Sequence, residues 1–153
     1  MSLQEKINQD WMQSMKARTP EKDVLALVRN ELKNKAINER SEGGGQTTVS
    51  DDVAVGVLQK MAKQRKESII SFEAGGRLEL AKKEAFELSV IESYLPKQLS
   101  DDEIRHIVQK AIQETSASSL KELGKVMGVV LKETKGRADG KHVQEIVKSS
   151  LQD

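Results

Sequence analysis

The sequence predicts an all-α protein in two parts, four helices over residues 1–96 and a three-helix bundle over 97–153. Three observations carry this. Apolar residues recur at three- and four-residue spacings along nearly every segment, the period of a helix with one buried face. No stretch shows the apolar and polar alternation of a half-buried strand. Ser, Thr, Asp, Gly and Pro fall between the periodic runs, where helices start and stop.

Residues 2–18 place Leu3, Ile7, Trp11 and Met15 four apart, with Met12 alongside, as the inner stripe of a first helix. Thr19 and Pro20 read as an N-cap and a first helical residue, and proline at that position loses no bond because its N–H would be unpaired anyway. The second helix follows with Val24, Leu25, Val28, Leu32 and Ala36 inward. SEGGGQTTVS, residues 41–50, breaks the period, and its three consecutive glycines make regular structure entropically costly, so a loop is expected. Ser50, Asp51 and Asp52 then cap and charge the positive end of a third helix of about 24 residues, roughly 36 Å long. Its expected inner face is Val53, Val57, Met61 and Phe72, with Leu58 and Ile69 beside it. Gly75 and Gly76 read as its C-terminal stop. A fourth helix with Leu78, Ala81, Ala85, Leu88, Ile91 and Leu95 inward runs to Pro96, which disfavours helix at Leu95.

Beyond Pro96, Ser100 and Glu103 form a capping-box pattern for a helix with Ile104, Ile107, Val108, Ala111 and Ile112 inward. Ser119 and Glu122 suggest a second box, opening a helix with Leu123, Val126, Met127, Val130 and Leu131. Gly136 ends that helix, and Asp139 is placed to cap a last one with Val143, Ile146, Val147 and Leu151 inward.

Composition narrows the function. With no cysteine, the chain has neither disulfides nor thiolate zinc sites, and a reducing cytoplasm is the expected setting. No stretch approaches the roughly 18 to 20 apolar residues of a membrane span, and residues 1–10 lack the apolar core of a signal peptide. Basic and acidic residues number 25 and 24, so any nucleic-acid site must be local. Aromatic residues are 3% of the chain, which leaves little for stacking unpaired bases, so RNA reading would rest on shape and phosphates.

Four motifs carry a family resemblance: KQRKES at Lys63–Ser68, ESYLPKQLS at Glu92–Ser100, GKVMG at Gly124–Gly128 and GRADG at Gly136–Gly140. Together, in this order and spacing, they resemble the GatB/YqeY family over nearly the whole chain. The resemblance implies a stand-alone protein whose C-terminal part is similar to the tail of the B subunit of the amidotransferase acting on glutamyl-tRNA(Gln), where the tail helps hold tRNA. It implies no catalytic cradle. The residues matching the shared tail motif are Gly124, Lys125, Met127, Gly128, Gly136, Ala138, Asp139 and Gly140. The chain departs from the family at Ser116, where glycine is more usual, so the turn there is expected to differ.

Within the tail, residues 121–141 hold six basic side chains (Lys121, Lys125, Lys132, Lys135, Arg137, Lys141) against three acidic ones. Lys121, Lys125 and Lys132, at spacings of four and seven, are expected on one helical stripe, with Lys135, Arg137 and Lys141 around the following turn. Gly124 and Gly128 each cost the helix about 0.5 to 1 kcal/mol relative to alanine, so close approach of something should offset the loss. A neighbouring helix and an RNA backbone both fit that role. The lysines have a plain alternative as a solvated helix face. A second basic run, Lys60, Lys63, Arg65 and Lys66, reads as a further RNA contact or as a salt-bridged helix surface, since Glu67 lies four residues after Lys63.

Catalysis finds little in the sequence. His106 and His142 lie off the apolar stripes, without ligand-spaced companions, and are expected to be exposed. Asp51 with Asp52, and Asp101 with Asp102, are explained by helix N-termini before any acid–base role. No phosphate-binding glycine loop or nucleophile elbow is present, and no cofactor or metal is expected. The expected function is RNA binding, with tRNA foremost, through the tail. The alternative is a module that docks on an enzyme handling aminoacyl-tRNA. A glutamine-dependent carbon–nitrogen ligase rests on kinship alone, which does not transfer activity.

Overall fold

A computed structural model describes residues 1–38 and 48–151, so most of the expected loop at 41–50 lies outside the described residues. Among the described residues every regular element is helical. The chain divides into two compact units, Met1–Leu95 and Pro96–Asp153, one residue before the expected boundary.

The first unit contains α1 (Leu3–Ala17), α2 (Glu21–Asn38), α3 (Asp51–Ala74) and α4 (Leu78–Glu92). Each start or stop has a local cause. Ser2 and Glu5 close a capping box on α1. Ser50 accepts the Val53 N–H at the start of α3. Asp51 does more than face the α3 dipole: its carboxylate accepts the Leu3 N–H at 2.9 Å, satisfying a free donor at the start of α1. Gly76, at φ +72°, ends α3 in a Schellman turn, with Arg77 N–H bonded to Phe72 O and Gly76 N–H to Glu73 O.

The core of this unit joins Ile7, Val24, Leu25, Val28, Leu32, Ala54, Leu58, Met61, Ala62 and Ile91. α2 buries the face its sequence predicts. α1 buries Ile7 with Leu3 and Trp11 packed beside it, but Met12 and Met15 remain 49% exposed, because α1 is covered along a narrower stripe than five apolar residues imply. In α3 the inner face is turned by one residue from the expected one. Ala54, Leu58, Met61 and Ala62 are buried, while Val53 and Val57 are half-buried. Alanines at 54 and 62 complete an i, i+4, i+7, i+8 stripe that the larger valines obscured. No residue of α3 past Ala62 is buried. α4 buries Ala81, Glu87 and Ile91, leaves Leu78 and Ala85 exposed, and stops at Glu92, short of Pro96. Its last turn tightens through Tyr94 N–H to Ile91 O and Leu95 N–H to Glu92 O, as Pro96 holds Leu95 out of the helix.

The second unit contains α5 (Asp101–Thr115), a short 3₁₀ turn (Leu120–Glu122), α6 (Leu123–Thr134) and α7 (Gly140–Leu151). Its core is Ile104, Val108, Ala111, Val126, Val130, Val143, Ile146, Val147 and Leu151, all on expected faces. Ser100 and Glu103 form the expected capping box. The one expected at Ser119 is not made: the Ser119 side chain bonds no backbone, and Glu122 instead accepts the Ser118 N–H at 2.9 Å. The residues leading into α5 are tied to the α6–α7 turn by Leu99 N–H to Arg137 O at 2.8 Å and by the Gln98 amide to Gly136 O at 3.0 Å. Ser116, where the family resemblance favours glycine, sits at φ +56° as the αL residue of a Schellman turn closing α5. That conformation disfavours side chains with a Cβ, which is the physical reason for glycine there.

Candidate nucleic-acid interface

The candidate surface is built on α6. Its residues turn by about 100° each, so with Val126 and Val130 in the core, Gly124, Lys125, Gly128 and Lys132 share the opposite, outward arc. All four are exposed. A Cβ added at Gly124 or Gly128 meets nothing within 4 Å. Helix packing among the described residues therefore does not explain the glycines; no described element uses the room they leave.

Leu131, 41% exposed, borders this arc, and α7 begins against it: a Cβ added at Gly140 comes within 3.9 Å of Leu131 Cδ2. Lys141, exposed in the first turn of α7, follows at once. Among the described residues no carboxylate pairs with Lys125, Lys132 or Lys141 within salt-bridge distance. The arc is thus a strip of bare backbone flanked by lysines and edged by one apolar side chain.

Two expected members are placed otherwise. Lys121 falls in the 3₁₀ turn before α6, so its four-residue spacing to Lys125 does not continue the α-helical stripe. Arg137 folds back to donate to the Glu133 carbonyl oxygen and lines a cleft with Leu99, Asp102, Glu103, His106 and Ile107. It faces the acidic first turn of α5, where its charge adds to the Ser100 cap bonds that hold the Glu103 carboxyl below its ordinary value. Lys135 is exposed immediately after α6.

The second basic run also separates. Lys60, Lys63 and Lys66 follow one another at three-residue spacing on the outer side of α3, while Arg65, in register with Leu58 and Met61, turns inward. There it meets Glu87 of α4 at 3.7 Å, the two side chains being 17% and 11% exposed. Lys66 pairs with Glu92 at 3.7 Å. Arg65 and Lys66 thus join α3 to α4. The register of Arg65 was a usable signal in the sequence, since it continues the buried stripe.

His106 is exposed as expected, but His142 is not simply exposed. Its Nε2 lies 2.7 Å from Asp101, linking α7 to α5, and that bond is the main reason the Asp101 carboxyl is held below its ordinary value. Among the described residues no three His, Asp or Glu side chains gather as metal ligands. No described helix is long and apolar enough to cross a membrane.

Fold and surface together define a two-unit, all-helical protein that presents a bare, lysine-flanked helix. The chain belongs to the Yqey-like protein family, whose model matches residues 4–151 and so spans both units. No curated protein matches it significantly.

Proposed function

We propose that this protein binds structured RNA, tRNA foremost, through the outer arc of α6 and the start of α7, by phosphate contact and shape. One observation carries the reading: Gly124 in the first turn and Gly128 in the middle of α6, each with open space where a side chain would stand, lie beside lysines that have no carboxylate partner among the described residues. A backbone without side chains lets a phosphate chain approach to van der Waals distance, and the flanking ammonium groups then meet its oxygens. The scarcity of aromatic residues fits a site that does not stack bases. The resemblance of this tail to the tRNA-holding tail of the amidotransferase B subunit points the same way. On this reading the protein works in the cytoplasm by binding alone, with no cofactor. Conversion of glutamyl-tRNA(Gln) by the purified chain would overturn the non-catalytic part.

The test is a salt titration of tRNA binding. Replacing Lys125, Lys132 and Lys141 by alanine should lower the slope of log K against log salt by about two to three, at about 0.7 to 0.9 per phosphate contact. Lys82→Ala with Lys83→Ala, on the other unit, should leave it unchanged. An unaltered slope in the tail variant rejects the assignment.

A second reading, docking on an enzyme that handles aminoacyl-tRNA, is favoured by the apolar side chains Ile70, Leu78 and Leu80 left exposed on α3 and α4. Recovery of such an enzyme on the immobilised chain after nuclease treatment supports docking. Its loss on nuclease treatment supports the RNA reading.

A further inference from the structure

The geometry points to a phosphate-binding cleft between α1 and α2, in the first unit and independent of the RNA reading. The cleft, about 330 Å³, is lined by Gln4, Asn8, Arg29, Asn30 and Lys33. Arg29 is its centre. The guanidinium carbon lies 3.8 Å from the centroid of the Trp11 ring, and Nε donates to Asn8 Oδ1 at 2.8 Å. Stacking fixes the plane of the group and the Asn8 bond fixes its rotation within that plane. The remaining edge, carrying the two Nη groups, has no protein acceptor among the described residues. An arginine held this way has already lost most of the rotamer freedom that ligand binding would otherwise cost.

Lys33 stands one helical turn beyond Arg29 on the same side of α2, and among the described residues no carboxylate lines the cleft. The donor set selects among anions. A carboxylate carries one charge and is satisfied by the arginine fork alone. A phosphate monoester carries up to two charges and three acceptor oxygens, enough to engage the Arg29 fork, the Lys33 ammonium and the side-chain amide of Asn30 together.

Trp11 is the single tryptophan of the chain, and its indole Nε1 is buried without a hydrogen-bond partner, so its N–H resonance reports on the Arg29 stack without ambiguity. The full-length ¹⁵N-labelled protein is titrated with inorganic phosphate, with ribose 5-phosphate, and with acetate and chloride at matched ionic strength. The expected result is a saturable shift of the indole resonance with both phosphates and none with acetate or chloride. Lys33→Gln, an exposed change that leaves the stack intact, should weaken phosphate binding about tenfold, the worth of one charge-assisted hydrogen bond. Arg29→Lys, which keeps the charge and loses the fork, should weaken it as well. A 5′-phosphorylated trinucleotide identifies the source: tighter binding than ribose 5-phosphate assigns the site to an RNA end, and equal binding assigns it to the phosphate group of a small metabolite. The same small drift with all anions, a preference for acetate, or an unchanged affinity in Lys33→Gln overturns the proposal and leaves Arg29 as a cover on Trp11.

Discussion

Gly128→Gln sets the two possible uses of a bare helix face against each other. Gly128 lies near the middle of α6, on the side away from Val126 and Val130, with nothing within 4 Å of where a Cβ would stand. Glutamine fits that space without displacing an atom and forms helix far better than glycine, so the fold should gain about 0.5 to 1 kcal/mol. With a urea m-value of about 2 kcal/mol/M, the unfolding midpoint moves up by roughly 0.3 to 0.5 M at unchanged slope. The same side chain stands where the partner's backbone would come to rest. Loss of one charge-assisted phosphate contact, about 1.5 kcal/mol, weakens tRNA binding roughly tenfold. Denaturation followed by circular dichroism and a filter-binding titration read the two effects separately. A lower midpoint would mean the face is packed in solution. A higher midpoint with unchanged tRNA affinity would mean that nothing approaches the glycines.

Three further outcomes follow from the geometry. Ser116→Gly should stabilise the protein by about 1 kcal/mol, because it removes the strain of a Cβ at φ +56°; a denaturation midpoint that does not rise contradicts this. Glu87→Ala should cost about 2 kcal/mol by leaving the mostly buried Arg65 without its partner, and Glu87→Leu with Arg65→Met should recover most of the loss; equal damage in both variants would show that the ion pair is not the cause. The Asp101 and Glu103 carboxyls are both held below their ordinary values of 3.8 and 4.5, so their contribution is complete above those values and is lost as pH falls through the lower folded ones. Stability measured from pH 6 to pH 2 should therefore decline at the acid end less steeply in Asp101→Asn, and an identical decline would remove Asp101 from the account.

How much of this was legible in the sequence depends on which link is asked about. Helix identity was readable because it is local: the α2 stripe, the Ser50 and Ser100 caps and the Gly76 stop are written within a few residues of one another. Helix rotation was less readable, because periodicity shows that a helix has an inner face but not how wide a strip its neighbours cover. Large valines at 53 and 57 outweighed the alanines at 54 and 62 that the core uses for close packing. The Asp101–His142 bond and the Arg29–Trp11 stack join side chains far apart in sequence, and no spacing rule announces them. In the candidate interface, the shared face of Gly124, Lys125, Gly128 and Lys132 follows from helical geometry alone. Lys121 was misjudged because a 3₁₀ turn changes the period before α6, and Arg137 because bonds from the Leu99 backbone N–H and the Gln98 side-chain amide fix the turn that carries it.

The most direct measurement is the amide spectrum of the ¹⁵N-labelled protein with and without tRNA. Binding along α6 predicts that the Gly124 and Gly128 amides, in the glycine region of the spectrum, shift or broaden first, together with Lys125, Lys132 and Lys141. Perturbations confined to residues 1–95, or a spectrum that tRNA leaves unchanged at low salt, would contradict it.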